Sequence, residues 1–312
     1  MFAAWAKFRR GKRSRPDVQQ FERHLEENLF GLQADLVTGS YRHSSYIPFK
    51  ICDPKQRQIH KASVRDRTVH QLLVSSIEPL FERRFIYDSF SCRKNKGTHA
   101  AVRRLRSFLN QASQNNTRTV YALKCDIKQF FASIDHAILR DLLRQRIADP
   151  RILGLLDEVI TSHAAAPGKG MPLGNLTSQL IANIYLHELD WFVKQRLRQR
   201  YYIRYCDDFV ILGQDRGQLL GLVAQLAMFL HDRLTLSLHP HKVTLRSWHQ
   251  GIDFLGCVLK PDCTVLRTKT KNRMLTRVTP DNLTSYAGLC SHANAYRTQQ
   301  LMRVLAQSAD ES

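Results

Sequence analysis

The sequence has no long hydrophobic run. Its longest strongly apolar stretch, residues 219–230, contains Gln225 and falls well short of the about 20 apolar residues that a membrane helix needs. The N-terminal segment also lacks the apolar core of a secretory signal. These absences argue against a transmembrane helix and a secretory signal. We expect a cytoplasmic protein, encoded by a bacterium, an archaeon or a phage, with no membrane partner.

Paired metal-binding cysteines are absent as well. The seven cysteines are scattered and never form Cys-x-x-Cys, and His187-Glu188 is not followed by a second histidine at the spacing of a zinc protease. This pattern excludes the common zinc motifs and a disulfide framework. The cysteines are therefore interpreted as reduced, structural thiols.

Acidic residues are few beside the basic ones. Only 27 Asp and Glu stand against 47 Lys and Arg, which gives a formal net charge of +20 over 312 residues. Such a surplus suits a polyanion whose counterions are released on binding, so nucleic acid is the leading partner. A generally basic protein remains the alternative. The length predicts two or three compact units.

The hydrophobic pattern mixes helices with short strands. Amphipathic helices are predicted at residues 17–36, 64–85, 99–111, 135–147, 175–197 and 215–234. Buried strands are predicted at residues 120–127, 201–206 and 209–213. This alternation indicates an α+β fold. The basic segment 7–15 is predicted to be a mobile arm, either a phosphate contact or a solvated tail.

Three aspartates interrupt the apolar strands. Asp126 ends one strand, and Asp207 with Asp208 lies between the next two. A lone Asp-Asp pair is usually a hydrogen-bonded turn, but buried carboxylates at one sheet edge repel each other and favour divalent cations. Oxygen ligands select Mg²⁺ or Mn²⁺. Two such ions support in-line phosphoryl transfer, so the residues predict a nucleotidyl transferase.

Several segments resemble the motifs of reverse transcriptases. LKCDIKQFFASIDH resembles their first aspartate motif, YIRYCDDFVIL their Y-x-D-D hairpin and GIDFLGCVL their primer-grip hairpin, while DPKQRQI and IHKASVRDRTVHQLL are similar to their fingers segments. More narrowly, MPLGNLTSQLIANIYLHELD, SCRKNKGTHAA and TSYAGLCSHANAYR resemble the reverse transcriptases of diversity-generating retroelements. The resemblance covers nearly the whole chain.

The resemblance implies a right-hand polymerase with fingers, palm and a short helical thumb. The expected divisions are a basic arm at residues 1–16, fingers with part of the palm at 17–115, the palm at 116–259 and the thumb at 260–312. Only about 50 residues follow the primer-grip segment, which is too few for a further nuclease domain at ordinary domain sizes. We therefore expect other factors to prime synthesis and to integrate the product.

The same resemblance assigns the catalytic residues. Asp126 and Asp207 match the metal ligands, Asp208 matches the third carboxylate, and the backbone carbonyl of Ile127 is a further candidate metal ligand. Lys242 matches a residue proposed to protonate pyrophosphate, where a cationic acid would offset the charge that develops on the leaving group.

Four residues match positions that contact the incoming nucleotide. Phe131 matches the steric-gate aromatic, which would exclude a ribose 2′-hydroxyl. Arg57 falls at a fingers position that neutralises triphosphate oxygens, and Lys61 and Arg65 are weaker candidates. The alternative for each cation is a solvent-facing fingers residue.

The segment Leu173-Gly174-x-x-x-Ser178-Gln179 departs from most of the family, which has Gln-Gly-x-x-x-Ser-Pro. The four named residues are candidates for nucleotide contact. Leu173 in place of glutamine removes a polar contact, and in the family this departure accompanies misincorporation opposite template adenine. The alternative is that Leu173 simply packs in the core.

These features predict an RNA-directed DNA polymerase that makes error-prone cDNA in a diversity-generating retroelement. Its expected partners are template RNA, nascent cDNA, dNTPs and a small basic pentameric accessory protein, with two Mg²⁺ ions as cofactors. An accurate group II intron-type reverse transcriptase is one alternative. A non-catalytic RNA-binding scaffold is the other, although a scaffold has no use for a repulsive carboxylate cluster.

Overall fold

The computed structural model describes residues 1–52, 56–291 and 293–308. Asp53–Lys55, which open the DPKQRQI segment, lie outside the described residues, as does His292 of the TSYAGLCSHANAYR segment. The helices are α1 (Phe2–Arg9), α2 (Pro16–Glu22), α3 (Leu25–Thr38), α4 (Val64–Glu82), α5 (Thr98–Ala112), α6 (Phe130–Ser133), α7 (His136–Arg144), α8 (Pro150–Thr161), α9 (Leu176–Trp191), α10 (Arg216–Leu234), α11 (Thr268–Arg277), α12 (Pro280–Cys290) and α13 (Tyr296–Ser308). The strands are β1 (Ile47–Ile51), β2 (Arg57–Lys61), β3 (Tyr121–Asp126), β4 (Tyr202–Tyr205), β5 (Asp208–Gly213), β6 (Thr244–Ser247), β7 (Ile252–Phe254), β8 (Cys257–Leu259) and β9 (Thr264–Leu266). The α+β expectation is confirmed.

The chain folds into two compact units, each built from three separate stretches. The first unit comprises Met1–Ile86, Ile127–Phe192 and Ala227–Leu238. The second unit comprises Tyr87–Asp126, Val193–Leu226 and the chain from His239 onward. Neither unit coincides with one of the divisions 17–115, 116–259 and 260–312, because sequence patterns locate elements but not the stretches that pack together.

The first unit is mainly helical. Ser63 caps α4 by accepting a hydrogen bond from the Asp66 amide at 3.1 Å, as expected of a serine at a helix N-terminus. α9 packs against α4, and β1 and β2 form an antiparallel pair. The predicted helix 17–36 is instead two helices, α2 and α3, and α3 is followed by Gly39, which caps it in the left-handed conformation.

The basic segment 7–15, predicted to be a mobile arm, begins inside a packed helix. Residues 2–9 form α1, which packs against α4 and buries Trp5 and Phe8 in a small apolar cluster. Arg9 forms an ion pair with Glu22 at 3.0 Å. The prediction was based on the basic residues and did not consider Trp5 and Phe8. The burial of these two aromatic side chains offsets the entropy lost on ordering the segment.

The second unit contains an antiparallel sheet with strand order β4-β5-β3-β6. β3 and β5 are mostly buried, which explains their near-continuous apolar sequence. α5 packs beside β4 and β5 and contributes Leu105 and Leu109 to the core. Asp126 and Asp208 lie at one end of the two central strands because β3 and β5 pair in register from Tyr121↔Gly213 to Asp126↔Asp208.

The C-terminal part of the second unit has its own small core. β7, β8 and β9 form a second antiparallel sheet, so the GIDFLGCVL hairpin gains a third strand before the helices begin at Thr268. α11, α12 and α13 share a cluster that includes Met274, Cys290 and Met302. Within the described residues, no helix is both long enough and apolar enough to span a membrane.

Candidate active site

Strand pairing brings two predicted catalytic carboxylates together in the second unit. Asp126 on β3 lies directly opposite Asp208 on β5. The turn between β4 and β5 consists of Cys206 and Asp207, and Asp208 is the first residue of β5. The sequence predicted Asp207 and Asp208 as the turn, so its register was one residue too late. The prediction that Asp126 and Asp208 meet at one end of the sheet is confirmed.

Two lysines neutralise this pair of carboxylates. The Lys242 Nζ lies 2.7 Å from Asp126 Oδ1, and the Lys124 Nζ lies 3.1 Å from Asp208 Oδ2. Lys242 was a predicted site residue, whereas Lys124 was missed. A signal for Lys124 was present, because it precedes Asp126 by two residues on a strand and therefore points to the same face.

The environment of Asp208 disfavours its charged form. The pKa of Asp208 is raised to about 6, chiefly by burial; Lys124 opposes the shift, and the neighbouring carboxylates of Asp126 and Asp207 add to it. Its Oδ1 atom is buried and has no hydrogen-bond partner among the described residues. A half-buried carboxylate with an unsatisfied oxygen is the kind of group that a cation stabilises.

Cys206 lies in the turn with a positive φ of 56°. Burial raises the pKa of its thiol, and the charge of Asp207 raises it further. The thiol therefore stays protonated near neutral pH and is a poor Mg²⁺ ligand. This agrees with the interpretation of the cysteines as reduced, structural thiols.

The carboxylates fit a divalent metal by chemistry, although they do not form a closed cage. Among the described residues, no group of three or more His, Cys, Asp and Glu side chains has the arrangement of a metal site. The unpartnered Asp208 Oδ1 and the oxygen-only donor set nevertheless match the ligands that Mg²⁺ prefers. Mg²⁺ keeps several waters and takes only one or two carboxylates.

The four predicted catalytic residues, Asp126, Asp207, Asp208 and Lys242, all belong to the second unit. The nine predicted substrate contacts belong to the first unit; they are Arg57, Lys61, Arg65, Ile127, Phe131, Leu173, Gly174, Ser178 and Gln179. Ile127 is buried and forms an isolated antiparallel bridge with Leu238.

The three predicted fingers cations differ in their surroundings. Lys61 forms an ion pair with Asp17 at 2.7 Å, and Arg65 forms one with Asp35 at 2.6 Å. Arg57 is exposed on β2, and its guanidinium has no hydrogen bond or ion pair within the part of the chain that the structure describes. Arg57 is thus the cation with the greatest freedom to bind phosphate.

Backbone hydrogen bonds fix the loop that carries Leu173. The His60 amide donates to the Leu173 carbonyl at 3.0 Å, and the Asn175 side-chain amide donates to the His60 carbonyl at 2.9 Å. Gly174 has a φ of 103°, and a Cβ there would lie 2.5 Å from Ile59 Cγ2, so only glycine fits. Leu173 is half-buried.

Two other members of this motif lie on α9. Ser178 is buried, and its hydroxyl has no hydrogen-bond partner among the described residues. Gln179 is exposed. Phe131 is half-buried in the short helix α6, and its carbonyl accepts a hydrogen bond from the Met171 amide at 2.8 Å. Phe131 and the Leu173 loop are therefore connected through the backbone within the first unit.

The sequence comparison identifies the family. The family model described as reverse transcriptase (RNA-dependent DNA polymerase) matches residues 52–259. The chain therefore belongs to the reverse transcriptase family. The matched region contains every predicted catalytic and substrate-contact residue.

The individual relatives have low sequence identity to this chain. Protein YkfC of Escherichia coli K12 is 25% identical over 267 residues, covering 72% of this chain and 69% of its own. The group II intron-encoded protein LtrA of Lactococcus lactis subsp. cremoris is 22% identical over 270 residues, which is 65% of this chain and 44% of LtrA.

Solved structures share the fold. Telomerase from Candida albicans, solved with a fragment of telomeric RNA, aligns with a TM-score of 0.53 at 12% identity over 79% of this chain. Apo telomerase from Candida tropicalis aligns with a TM-score of 0.54 at 12% identity over 78%. The chain spans 50% and 52% of those two proteins. At this identity the likeness concerns the fold alone.

Proposed function

We propose that this reverse transcriptase makes adenine-mutagenic cDNA as the core of a diversity-generating retroelement. The observation that supports the proposal is Leu173, an apolar residue at the position where most of the family has glutamine, on a loop whose backbone is fixed by His60 and by the need for Gly174. Because the loop does not depend on the Leu173 side chain, the substitution changes what that side chain offers to a base pair.

The carboxylates would hold the metal ions. Asp126, Asp207 and Asp208, with the carbonyl of Ile127, are the proposed ligands of two Mg²⁺ ions, and Mn²⁺ could replace them. When bound, such ions activate the primer 3′-hydroxyl and stabilise the leaving pyrophosphate. Lys124 and Lys242 hold Asp208 and Asp126 in place before binding. Lys242 then serves as the acid that protonates pyrophosphate.

The remaining substrate contacts come from the first unit. Arg57 is proposed to bind the triphosphate, because its guanidinium offers a planar fork to phosphate oxygens. The Phe131 ring is proposed to exclude ribonucleotides by a clash with the 2′-hydroxyl. Lys61 and Arg65 are weaker candidates, since each must first leave its aspartate partner. Ser178 and Gln179 complete the proposed nucleotide contacts.

The proposed partners are a template RNA, the nascent cDNA and a small basic pentameric accessory protein. The similarity to LtrA supports a second candidate, an accurate group II intron-type enzyme, which has the same chemistry but a different error spectrum. The two candidates are therefore separated by where the errors fall.

The test sequences cDNA that the protein makes from a defined RNA, with and without its accessory factor. We expect errors to concentrate opposite template adenines in the parent. Leu173→Gln, alone or with Gln179→Pro, should reduce these errors by about two- to twelve-fold, because one restored hydrogen bond contributes about 0.5–1.5 kcal/mol. Leu173→Met, which restores no amide, is the matched control.

Equal error rates opposite all four template bases, with the native template and accessory factor present, would reject the retroelement assignment. That result would leave the group II intron-type alternative. Absence of Mg²⁺-dependent synthesis under every condition would instead favour the RNA-binding scaffold.

A further inference from the structure

Arg204 on β4 is a fully buried arginine, with 0% of its surface exposed. Burying a guanidinium costs several kcal/mol unless the group is well hydrogen-bonded. A fully buried arginine is rare unless its guanidinium is paired with other groups. Arg204 directly precedes Tyr205 and the turn that carries Asp207, so its contacts concern the candidate active site.

Two hydrogen bonds of the guanidinium point in different directions. Its Nη1 donates to the backbone carbonyl of Cys206 at 3.1 Å, and its Nη2 donates to the Ser89 hydroxyl at 3.1 Å. The first contact reaches the catalytic turn. The second reaches a segment on the other side of β4.

The Cys206 carbonyl belongs to the peptide that joins Cys206 to Asp207. Cys206 has a φ of 56°, a conformation that costs a non-glycine residue about 1 kcal/mol or more. Such a conformation persists only where surrounding contacts enforce it. A donor that fixes this carbonyl also fixes the peptide plane from which the Asp207 side chain departs.

Arg204 is itself held rigidly. Its amide donates to the Asp88 carbonyl at 2.9 Å, and its carbonyl accepts from the Phe90 amide at 2.9 Å. Residues 88–90 therefore run parallel to β4 as an additional strand segment. The Asp88 carboxylate is bound in turn by Arg104 Nε at 2.7 Å, so a network of backbone and charged contacts supports Arg204.

We propose that Arg204 is a positioning residue of this polymerase, which holds the Cys206–Asp207 peptide so that the Asp207 carboxylate keeps its catalytic orientation. This inference rests on the proposed role of Asp207 in the reaction. Arg204 touches neither substrate nor metal and acts through the turn. Misplacement of a reacting group by about 1 Å can cost about 10²-fold in rate.

The geometry also explains why the residue is arginine. A planar guanidinium presents donors in two directions at once, whereas an ammonium group is a single point donor. Lysine at position 204 could keep the charge and satisfy either Cys206 or Ser89. These two hydrogen bonds can be removed by different variants. Substitution of Arg204 removes the bond to the Cys206 carbonyl, whereas Ser89→Ala removes only the bond to the Ser89 hydroxyl.

The experiment compares Arg204→Gln and Arg204→Lys with Ser89→Ala, in the full chain. Primer extension on an RNA template gives kcat and the KM for dNTP, and circular dichroism gives the melting temperature. We expect Arg204→Gln to lower kcat by about 10²-fold with the KM changed less than about threefold, and Arg204→Lys to lower kcat by at least about tenfold. Ser89→Ala should lower the melting temperature but leave kcat within about threefold.

The proposal is overturned if both Arg204 variants keep kcat within threefold of the parent, or if Ser89→Ala loses as much kcat as Arg204→Gln. If Arg204→Gln does not fold, the result for Arg204→Lys decides, and failure of both to fold makes Arg204 a structural residue only. A crystal structure of Arg204→Lys separates this inference from the proposed function. A displaced Cys206–Asp207 peptide supports positioning even if the parent proves inactive, and an unmoved peptide rejects it.

Discussion

Two aspartates, the fully buried Asp66 in the first unit and the half-buried Asp208 in the second, are stabilised in opposite ways. Asp66 in the first unit is fully buried and accepts hydrogen bonds from the Tyr41 hydroxyl at 2.8 Å and the Ser63 hydroxyl at 2.6 Å. Asp208 in the second unit has one oxygen bound by Lys124, while its other oxygen has no hydrogen-bond partner in the described ranges of the chain. The two carboxylates carry the same charge, but only Asp66 is satisfied by its surroundings.

Their pKa values follow from this difference. Burial alone would raise the pKa of Asp66, but hydrogen bonds from Ser63, Tyr41 and Ser44 outweigh it and hold the pKa below its ordinary value. Burial raises the pKa of Asp208 to about 6, and two neighbouring carboxylates act in the same direction. A satisfied carboxylate stabilises the fold, whereas an unsatisfied one is poised to bind a cation.

The largest expected effect is on catalysis in the second unit. Asp126→Asn and Asp207→Asn should each lower Mg²⁺-dependent primer extension by about 10³-fold or more, because a metal ligand and its charge are removed from the transition state. The melting temperature should stay the same or rise, since repulsion among the carboxylates is relieved. Steady-state extension assays and thermal unfolding measure both quantities.

Asp262→Asn, at an exposed carboxylate of the same unit, is the matched control and should leave extension unchanged. Extension within about tenfold of the parent in both Asp126→Asn and Asp207→Asn would contradict the assignment of these residues as metal ligands.

The opposite result is expected for Asp66. Asp66→Asn should lower the free energy of unfolding by about 2–4 kcal/mol, because it leaves buried donors without their acceptor. Activity per folded molecule should change less than about twofold. Urea unfolding at constant pH measures the loss, and Asp35→Asn, at a more exposed carboxylate, should cost about 1 kcal/mol or less. An equal loss of unfolding free energy in Asp66→Asn and Asp35→Asn would contradict the stabilising role assigned to Asp66.

Arg57 and Arg65 extend the comparison to cations of the first unit. Arg57→Ala should raise the KM for dNTP by about tenfold, which corresponds to about 1.4 kcal/mol of lost phosphate binding. Arg65→Ala should leave the KM unchanged and lower stability slightly, because Arg65 is already paired with Asp35. Steady-state kinetics with varied dNTP distinguishes the two. A larger KM effect for Arg65→Ala would reverse the assignment.

The smallest effect is a pH dependence of stability in the first unit. His70 is buried, and its Nε2 lies 3.1 Å from the Nε2 of His43. The pKa of His70 is lowered to about 3, chiefly by burial; the charges of His43 and Arg67 contribute to the shift, and that of Asp66 opposes it. His70 is therefore neutral in the folded state at pH values where the unfolded chain already binds a proton.

The sign follows from proton linkage. Since the unfolded state binds more protons below the ordinary histidine pKa of about 6.5, the contribution of His70 is complete above that pH and is lost as the pH falls toward about 3. Between about pH 7 and 5.5, the free energy of unfolding should fall by about 1 kcal/mol from His70 alone. Denaturation of the parent and of His70→Gln at both pH values tests this, and equal slopes would contradict it.

The sequence by itself determined the chemistry of the acidic site. Asp126 is the last residue of β3 and Asp208 is the first residue of β5, and the side-chain alternation and pairing of short antiparallel strands leave few places where such residues can lie. The Leu-Gly pair of the 173–179 motif was also recognised from the sequence. The structure gives a local reason for the glycine, because only glycine fits at position 174. Local patterns specify these features because they depend on the backbone.

Only the tertiary structure decided which charged side chains form ion pairs with distant residues and which contact the candidate active site. Lys61 and Arg65 are bound to aspartates distant in sequence, and Trp5 and Phe8 convert a predicted arm into a packed helix. Lys124 and Arg204 became functional candidates through contacts with Asp208 and with the Cys206 carbonyl. Long charged side chains pair with whichever groups lie near them in the folded protein. Because each unit is built from three separate stretches of the chain, no local sequence pattern shows which groups will be near each other.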